Sequence, residues 1–339
     1  MQRCLTLNLL SLIVVWGAIA IPVEPNAATT PPTNRILAQS SASRPASLSA
    51  LIQKLKSPKA SDRTAAAFEI GQMGTTASRA TPHLILLLDD PDSGVRDKAV
   101  QALGRMGKAA NVAIPKLVTL FKTDLAVRGQ YVFTLASLGS PTIPHLMPLL
   151  KDTDATIRFD VVYTVALIGK SGKAAIPHLK PLLNDPDPGV HSMVAQTLWM
   201  IGAPASDFLP TLITLLKEST HSEARSRATF VLKEMGAKTP EVIPALISLL
   251  KEPNERVRDE AAQILGELGK PAIPQLIAQL KHPDEAVRGA AAYGLGVMRS
   301  AAKSAIPHLI PLLRDPSQKV QLKAREALAK IQRQAPKSR

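Results

Sequence analysis

One short motif is written over and over along this chain. Ala113-Ile114-Pro115-Lys116-Leu117 returns as Thr142-Ile143-Pro144-His145-Leu146 and as Ala175-Ile176-Pro177-His178-Leu179. It returns again around Pro210, Pro244, Pro274 and Pro307, and first occurs around Pro82, at spacings of 33, 29, 33, 33, 34, 30 and 33 residues. A second landmark follows each proline at a near-constant distance: Val95-Arg96, Val127-Arg128, Ile157-Arg158, Val257-Arg258 and Val287-Arg288. Counting back from Asp62-Arg63 gives a degenerate first copy with Ser49 in the proline position, so nine copies span residues 48–334. A unit of this size cannot bury a hydrophobic face alone, so its neighbours must stack on it to make a continuous core. The 28 prolines are then punctuation between short elements.

Each copy reads as two helices. The first opens at its proline, which is tolerated at a first helical position, and carries a core pattern such as Leu246, Leu249 and Leu250. A turn such as Asp90-Pro91-Asp92 follows. Asp92, Asp124, Asp154, Asp187, Asn254, Asp284 and Ser317 are then placed to cap the second helix. That helix is expected to end at Gly74, Gly107, Gly139, Gly169, Gly202, Gly236 or Gly269, where glycine permits a left-handed C-terminal conformation. No segment alternates with period two, and aromatics are only 3% of the chain, which argues against a large sheet. The expected fold is all-α, an α-solenoid of nine helix pairs.

The segments Asp185-Pro186-Asp187-Pro188-Gly189-Val190 and Glu252-Pro253-Asn254-Glu255-Arg256-Val257-Arg258 resemble HEAT repeats, especially the bacterial variety also found in phycobilin lyases. The resemblance covers about residues 48–334. It implies an α-α superhelix in which each column arginine pairs with a turn aspartate such as Asp90 or Asp152. On function it says little, because one solenoid hosts many unrelated roles.

Faces can be assigned at 100° per residue from the landmark arginine. The positions one before it and three, six, seven and ten after it are apolar or small in most copies, a wide buried arc. Five after it lies the opposite side, expected to face solvent on the concave surface. That column reads Phe68, Gln101, Phe133, Tyr163, Gln196, Phe230, Gln263, Tyr293, Glu326. Flanking positions add Phe159, Leu167, Met193, Trp199 and Met200, with His191 replacing the arginine beside them. These residues are the candidate partner-binding face, since contiguous exposed apolar surface marks interaction sites. The competing reading is that curvature packs the rings on one another. The histidine column His83, His145, His178 and His308 offers no converging ligand set, because equivalent positions in stacked helices lie about 8–10 Å apart. No metal or cofactor is expected.

The net charge of +14 is uneven: residues 207–270 carry −1 while residues 304–339 carry +6. The expected groove is therefore not the basic track that a nucleic-acid binder needs. Instead, the basic C-terminal end could touch anionic lipid or cell-wall polymer, and residues 335–339 form a basic tail. At the other end, Arg3 and the apolar run Leu5 to Ile21 read as a signal peptide over residues 1–20. A second cleavage candidate at Ala38 would extend it, and an uncleaved anchor through residues 5–21 is the alternative. Residues 21–47, rich in Pro, Ser, Thr and Ala, read as a disordered linker. The single Cys4 excludes a disulfide scaffold.

No catalytic constellation is found. Gly169-Lys170-Ser171 lacks the upstream glycine and strand of a phosphate loop. Deoxyhypusine hydroxylase, an enzyme built on such repeats, uses His-Glu pairs for iron, and no His-Glu dipeptide occurs here. The leading expectation is a monomeric, extracytoplasmic (periplasmic or secreted), non-enzymatic scaffold for a protein partner. Two alternatives stand beside it: handling of a bilin chromophore or phycobiliprotein, and binding of cell-wall polymer or anionic lipid.

Overall fold

The computed structural model describes residues 47–236 and 238–333, so the signal, most of the linker and the basic tail lie outside the described residues. Among those described there is no strand, and no helix is long and apolar enough to cross a membrane. Nine helix pairs follow one another. The first helices are α1 (Leu48–Lys54), α3 (Thr81–Leu86), α5 (Ile114–Thr123), α7 (Ile143–Leu146), α9 (Ile176–Leu179), α11 (Leu209–Glu218), α13 (Val242–Leu249), α15 (Ile273–Gln279) and α17 (Ile306–Leu309). The second helices are α2 (Ala60–Met73), α4 (Ser93–Met106), α6 (Arg128–Leu138), α8 (Ala155–Ile168), α10 (Pro188–Ile201), α12 (Ser222–Gly236), α14 (Glu255–Leu268), α16 (Glu285–Val297) and α18 (Gln318–Gln332).

The first helices differ in length for a local reason. In α7, α9 and α17 the helix lasts four residues and passes into 3₁₀ turns at Met147–Lys151, Lys180–Asn184 and Pro311–Arg314. Each of these copies carries a second proline four residues after the first, at Pro148, Pro181 and Pro311. Proline has no N–H to return to the carbonyl four residues back, so the α ladder stops there.

Five expected caps form: the side chains of Asp92, Asp154, Asp187, Asn254 and Asp284 each accept an N–H of the first turn. Ser317 holds the cap position without such a bond. Asp124 is a correction, because its turn is two residues shorter and α6 begins only at Arg128, capped by Val127. The C-terminal glycines are corrected too. Gly202 alone among them is left-handed, at φ 81° and ψ 39°. Gly74, Gly107, Gly139, Gly169 and Gly269 take positive φ with ψ from −133° to −150°, a region essentially closed to other residues. Gly236 instead closes α12 within the helix. In the eighth copy Arg299 adopts φ 51° at the equivalent bend. Arg299→Gly should therefore raise stability by about 1 kcal/mol in chemical denaturation.

Neighbouring copies are stapled by the arginine column. Arg158 Nε and Nη2 donate to Asp185 Oδ2 and Oδ1 at 2.8 and 2.7 Å, while Nη1 donates to the carbonyls of Asp152 and Thr153 at 2.9 and 3.2 Å. One guanidinium thus holds its own turn and forks onto the aspartate of the next turn. Arg63–Asp90, Arg96–Asp124 and Arg288–Asp315 repeat the arrangement. Asp124 therefore serves as a clasp partner. The expected arginine partner of Asp152 is a correction, since Asp152 pairs with Lys122 Nζ at 2.7 Å and Arg128 reaches only the Lys122 carbonyl.

From the fifth to the eighth copy no clasp forms: His191 replaces the arginine opposite Ser219, Glu252 pairs with Lys217 at 3.2 Å instead of Arg225, and His282 stands opposite Arg258. His282 keeps half of the role: its Nδ1 accepts the Asp284 N–H, as Asp90 Oδ1 accepts that of Asp92. His282→Asp should supply Arg258 with the missing fork and add about 1 kcal/mol, read as a raised denaturation midpoint.

Second helices of successive copies pack on one another far more extensively than first helices do. The second helices, at 11–15 residues against 4–10, therefore make most of the contact between copies, and their exposed stripes are the face expected to be concave. Glycines eight residues after the landmark arginine set the closest approaches. A Cβ on Gly71 would sit 3.0 Å from Ala102 Cα, and one on Gly296 2.9 Å from Ala327 Cα. The core is mostly aliphatic, with Phe121, Tyr131 and Phe208 its large fully buried rings.

Candidate functional site

The face expected to be concave carries the exposed stripes of the second helices. Of the eleven residues proposed for it, Phe133 (51% exposed), Phe68 (42%), Leu167 (40%) and Met200 (37%) are open to solvent. Phe159, Tyr163, His191, Trp199, Phe230 and Tyr293 are half-buried, the rings resting on the core. Met193 is a correction. It is 3% exposed, because Arg227 of the next copy lies over it with Nη1 3.7 Å from its sulfur.

Both readings of the aromatic column hold in part. Phe159 and Tyr163 stack along α8 with centroids 6.4 Å apart, and Trp199 meets Phe230 edge-on at 6.1 Å across α10 and α12. The rings are therefore partly one another's packing. They still present edges, beside the exposed Leu167 and Met200, and so form one apolar patch over α8, α10 and α12. Away from this centre the aromatics are spaced out: Phe133 stands open, while Arg105 lies 5.5 Å from the Phe68 ring and Lys323 4.7 Å from that of Tyr293.

Sequence reasoning missed the polar residues that frame the patch. Arg227 reaches across α10, donating to Gln196 Oε1 at 2.8 Å, and lies 5.9 Å from the Phe159 ring on α8. Burial lowers its pKa, against the pull of Glu223. On α8, burial raises the Asp160 carboxyl, opposed by Arg128. Burial also pushes the His191 imidazole below its ordinary value, with Asp185 opposing. Eight residues after the landmark, copies one, two, seven and eight have Gly71, Gly104, Gly266 and Gly296, but the sixth has Lys233. Between α12 and α14, where Lys233 stands at that position, lies a cleft of about 240 Å³. Ser226, Thr229, Lys233, Glu260, Gln263 and Glu267 line it. Lys233 pairs with Glu267, and Gln263 donates to Glu267 at 3.0 Å.

Stacked helix pairs presenting one continuous inner face define an α-solenoid. Within that class, this chain belongs to the HEAT-repeat family, whose model matches residues 48–126, 114–199, 164–233, 209–277 and 273–338. No curated protein matches it. Among solved structures it is similar to importin beta, at 15% identity over 84% of this chain and 44% of that one, with a TM-score of 0.50. It is also similar to the karyopherin Kap121p, at 16% identity over 84% and 37% with a TM-score of 0.49. A third is the CpcE–CpcF complex of phycocyanin lyase from a Nostoc species, at 22% identity over 80% and 99% with a TM-score of 0.39. The chain spans 37% of the Kap121p chain and 44% of the importin beta chain it matches. The similarity to importin beta shows the fold alone.

Proposed function

We propose that this HEAT-repeat protein is an exported, non-enzymatic scaffold whose concave face binds a protein partner over its fourth to sixth copies. The observation that carries the reading is the apolar patch of Phe159, Tyr163, Leu167, Trp199, Met200 and Phe230. Large side chains held half-open on rigid helices are pre-organised for contact, so little conformational entropy is lost on binding. Export is supported by Arg3 and the apolar run Leu5 to Ile21.

The binding test is a pull-down from envelope extract, comparing wild type with Phe159→Ala/Tyr163→Ala. Loss of a specific band with the variant, still folded by circular dichroism, supports the reading. Equal capture by both proteins contradicts it. For export, fractionation should recover the chain outside the cytoplasm, and recovery in cytosol alone would refute that part.

A further inference from the structure

The ninth copy turns a face outward that most earlier copies bury. One, four and eight residues after the landmark lies the stripe that stacks on the next copy. In the eighth copy it is Gly289, Ala292 and Gly296, all buried, with Gly296 close against Ala327 of the ninth. The ninth copy has Leu322, Arg325 and Ala329 there, all exposed. Leu322 is 57% open. Ile310 on the first-helix side is 52% open, whereas its counterparts Ile85, Val118 and Ile277 are half-buried against the core. Arg314 belongs to the same face. At its position in the third and sixth copies, Lys122 and Lys217 pair with Asp152 and Glu252 of the following turn. Among the described residues no turn follows for Arg314 to reach.

The charge of this end is one-sided. Its cations are Arg314, Lys319, Lys323, Arg325, Lys330 and Arg333, with Lys337 and Arg339 beyond the described residues. Its acids are Asp315, held by Arg288 at 2.8 Å, and the exposed Glu326. Glu326 stands on the stripe of Tyr293, over whose ring Lys323 and Lys330 lie at 4.7 and 5.7 Å. One copy back, Asp284 and Glu285 open α16, and Arg299 and Lys303 follow it, two charges of each sign. Among the described residues no cation of the ninth copy forms an ion pair.

This combination selects an occupant. Another repeat stacked here would bury the Arg325 guanidinium in the contact, at a cost of several kcal/mol unless an acid met it. Two such ends face to face would set Arg314 and Arg325 against their own copies. A soluble polyanion would satisfy the cations and leave Ile310 and Leu322 in water. An anionic bilayer takes both: its phosphates meet the arginines, while the two apolar side chains enter the headgroup boundary. We propose that this end of the solenoid docks on an anionic lipid bilayer through Ile310, Arg314, Leu322 and Arg325. The dock does not depend on the concave-face reading, and it leaves the patch over the fourth to sixth copies free.

Vesicle flotation tests this. Ala46–Arg339 form one compact unit, and residues 22–339 keep it whole without the apolar run, which would itself enter a bilayer. The protein should float with phosphatidylcholine vesicles containing about one-third phosphatidylglycerol, not with phosphatidylcholine alone, and less as salt rises. Arg314→Gln/Arg325→Gln should weaken binding about 25-fold, fivefold for each charge. Ile310→Ser/Leu322→Ser should weaken it about tenfold, and both variants should keep wild-type stability because the sites are exposed. Phe159→Ala/Trp199→Ala should float as wild type does. Equal flotation with neutral vesicles, or indifference to either end-face pair, overturns the proposal. Soluble polyphosphate bound as tightly as the anionic vesicles would make the end a site for any polyanion and overturn the bilayer assignment. A dimer in sedimentation that either end-face pair abolishes would make a second copy the occupant and overturn it too.

Discussion

Asp185→Ala should destabilise the array by about 2–3 kcal/mol and uncouple its fourth and fifth copies. The substitution takes the fork from Arg158 and the acceptor from the Asp187 N–H, at 2.9 Å, while the guanidinium stays partly enclosed. The cost stays below that of a fully interior pair because Arg158 Nη1 still holds the Asp152 and Thr153 carbonyls. In a solenoid, stability is a sum of copy and junction contributions. A denaturation curve that is one step in wild type should therefore broaden or split. Equal stability of wild type and Asp185→Ala would show the clasp to be ornamental.

The same clasps set the acid response. At Asp124 and Asp315 the arginine hydrogen bonds, and at Asp90 and Asp185 those bonds against an opposing burial effect, hold the carboxyls below the usual carboxylate range. A depressed folded pKa means that the unfolded chain takes up protons first as pH falls. The clasp contribution is then complete above the unfolded value of about 4 and is lost below it, as pH falls through the folded pKa. Denaturant midpoints should be flat in this respect from neutral to about pH 4.5 and drop beneath it, less steeply in Asp185→Ala.

Phe159→Ala combined with Trp199→Ala should weaken partner binding by about 100-fold or more, as loss of two hot-spot residues does. Both rings are half-buried, so the substitution should also cost about 1–2 kcal/mol of stability per ring, less than for a fully enclosed aromatic. The ratio discriminates. Binding lost far beyond the stability change marks a contact surface, whereas a large stability loss with binding retained marks internal packing.

Fold and face were legible to different depths. The period, the caps at Asp92 and Asp187 and the helix pairs follow from local chemistry written into each copy. The 3₁₀ endings of α7, α9 and α17 follow from paired prolines four residues apart, which were not read as such from the sequence. The burial of Met193 was not legible, because it depends on how far Arg227 reaches from the next copy, and a 100° wheel treats each helix alone. The failure of Arg128 to reach Asp152 has the same origin, since a turn two residues shorter moves α6 relative to α8. The cleft between α12 and α14 was not legible either, because it depends on how two neighbouring copies meet.

The central claim, that the inner face is where a protein binds, is tested most directly by a photo-crosslinking amino acid placed at single positions. Met200 and Leu167 sample the concave patch, and Leu86 on α3, though more exposed, samples the first-helix layer. In envelope extract, one partner band should crosslink from Met200 and Leu167 and not from Leu86. Crosslinking from Leu86 without any from Met200 or Leu167 would contradict the account.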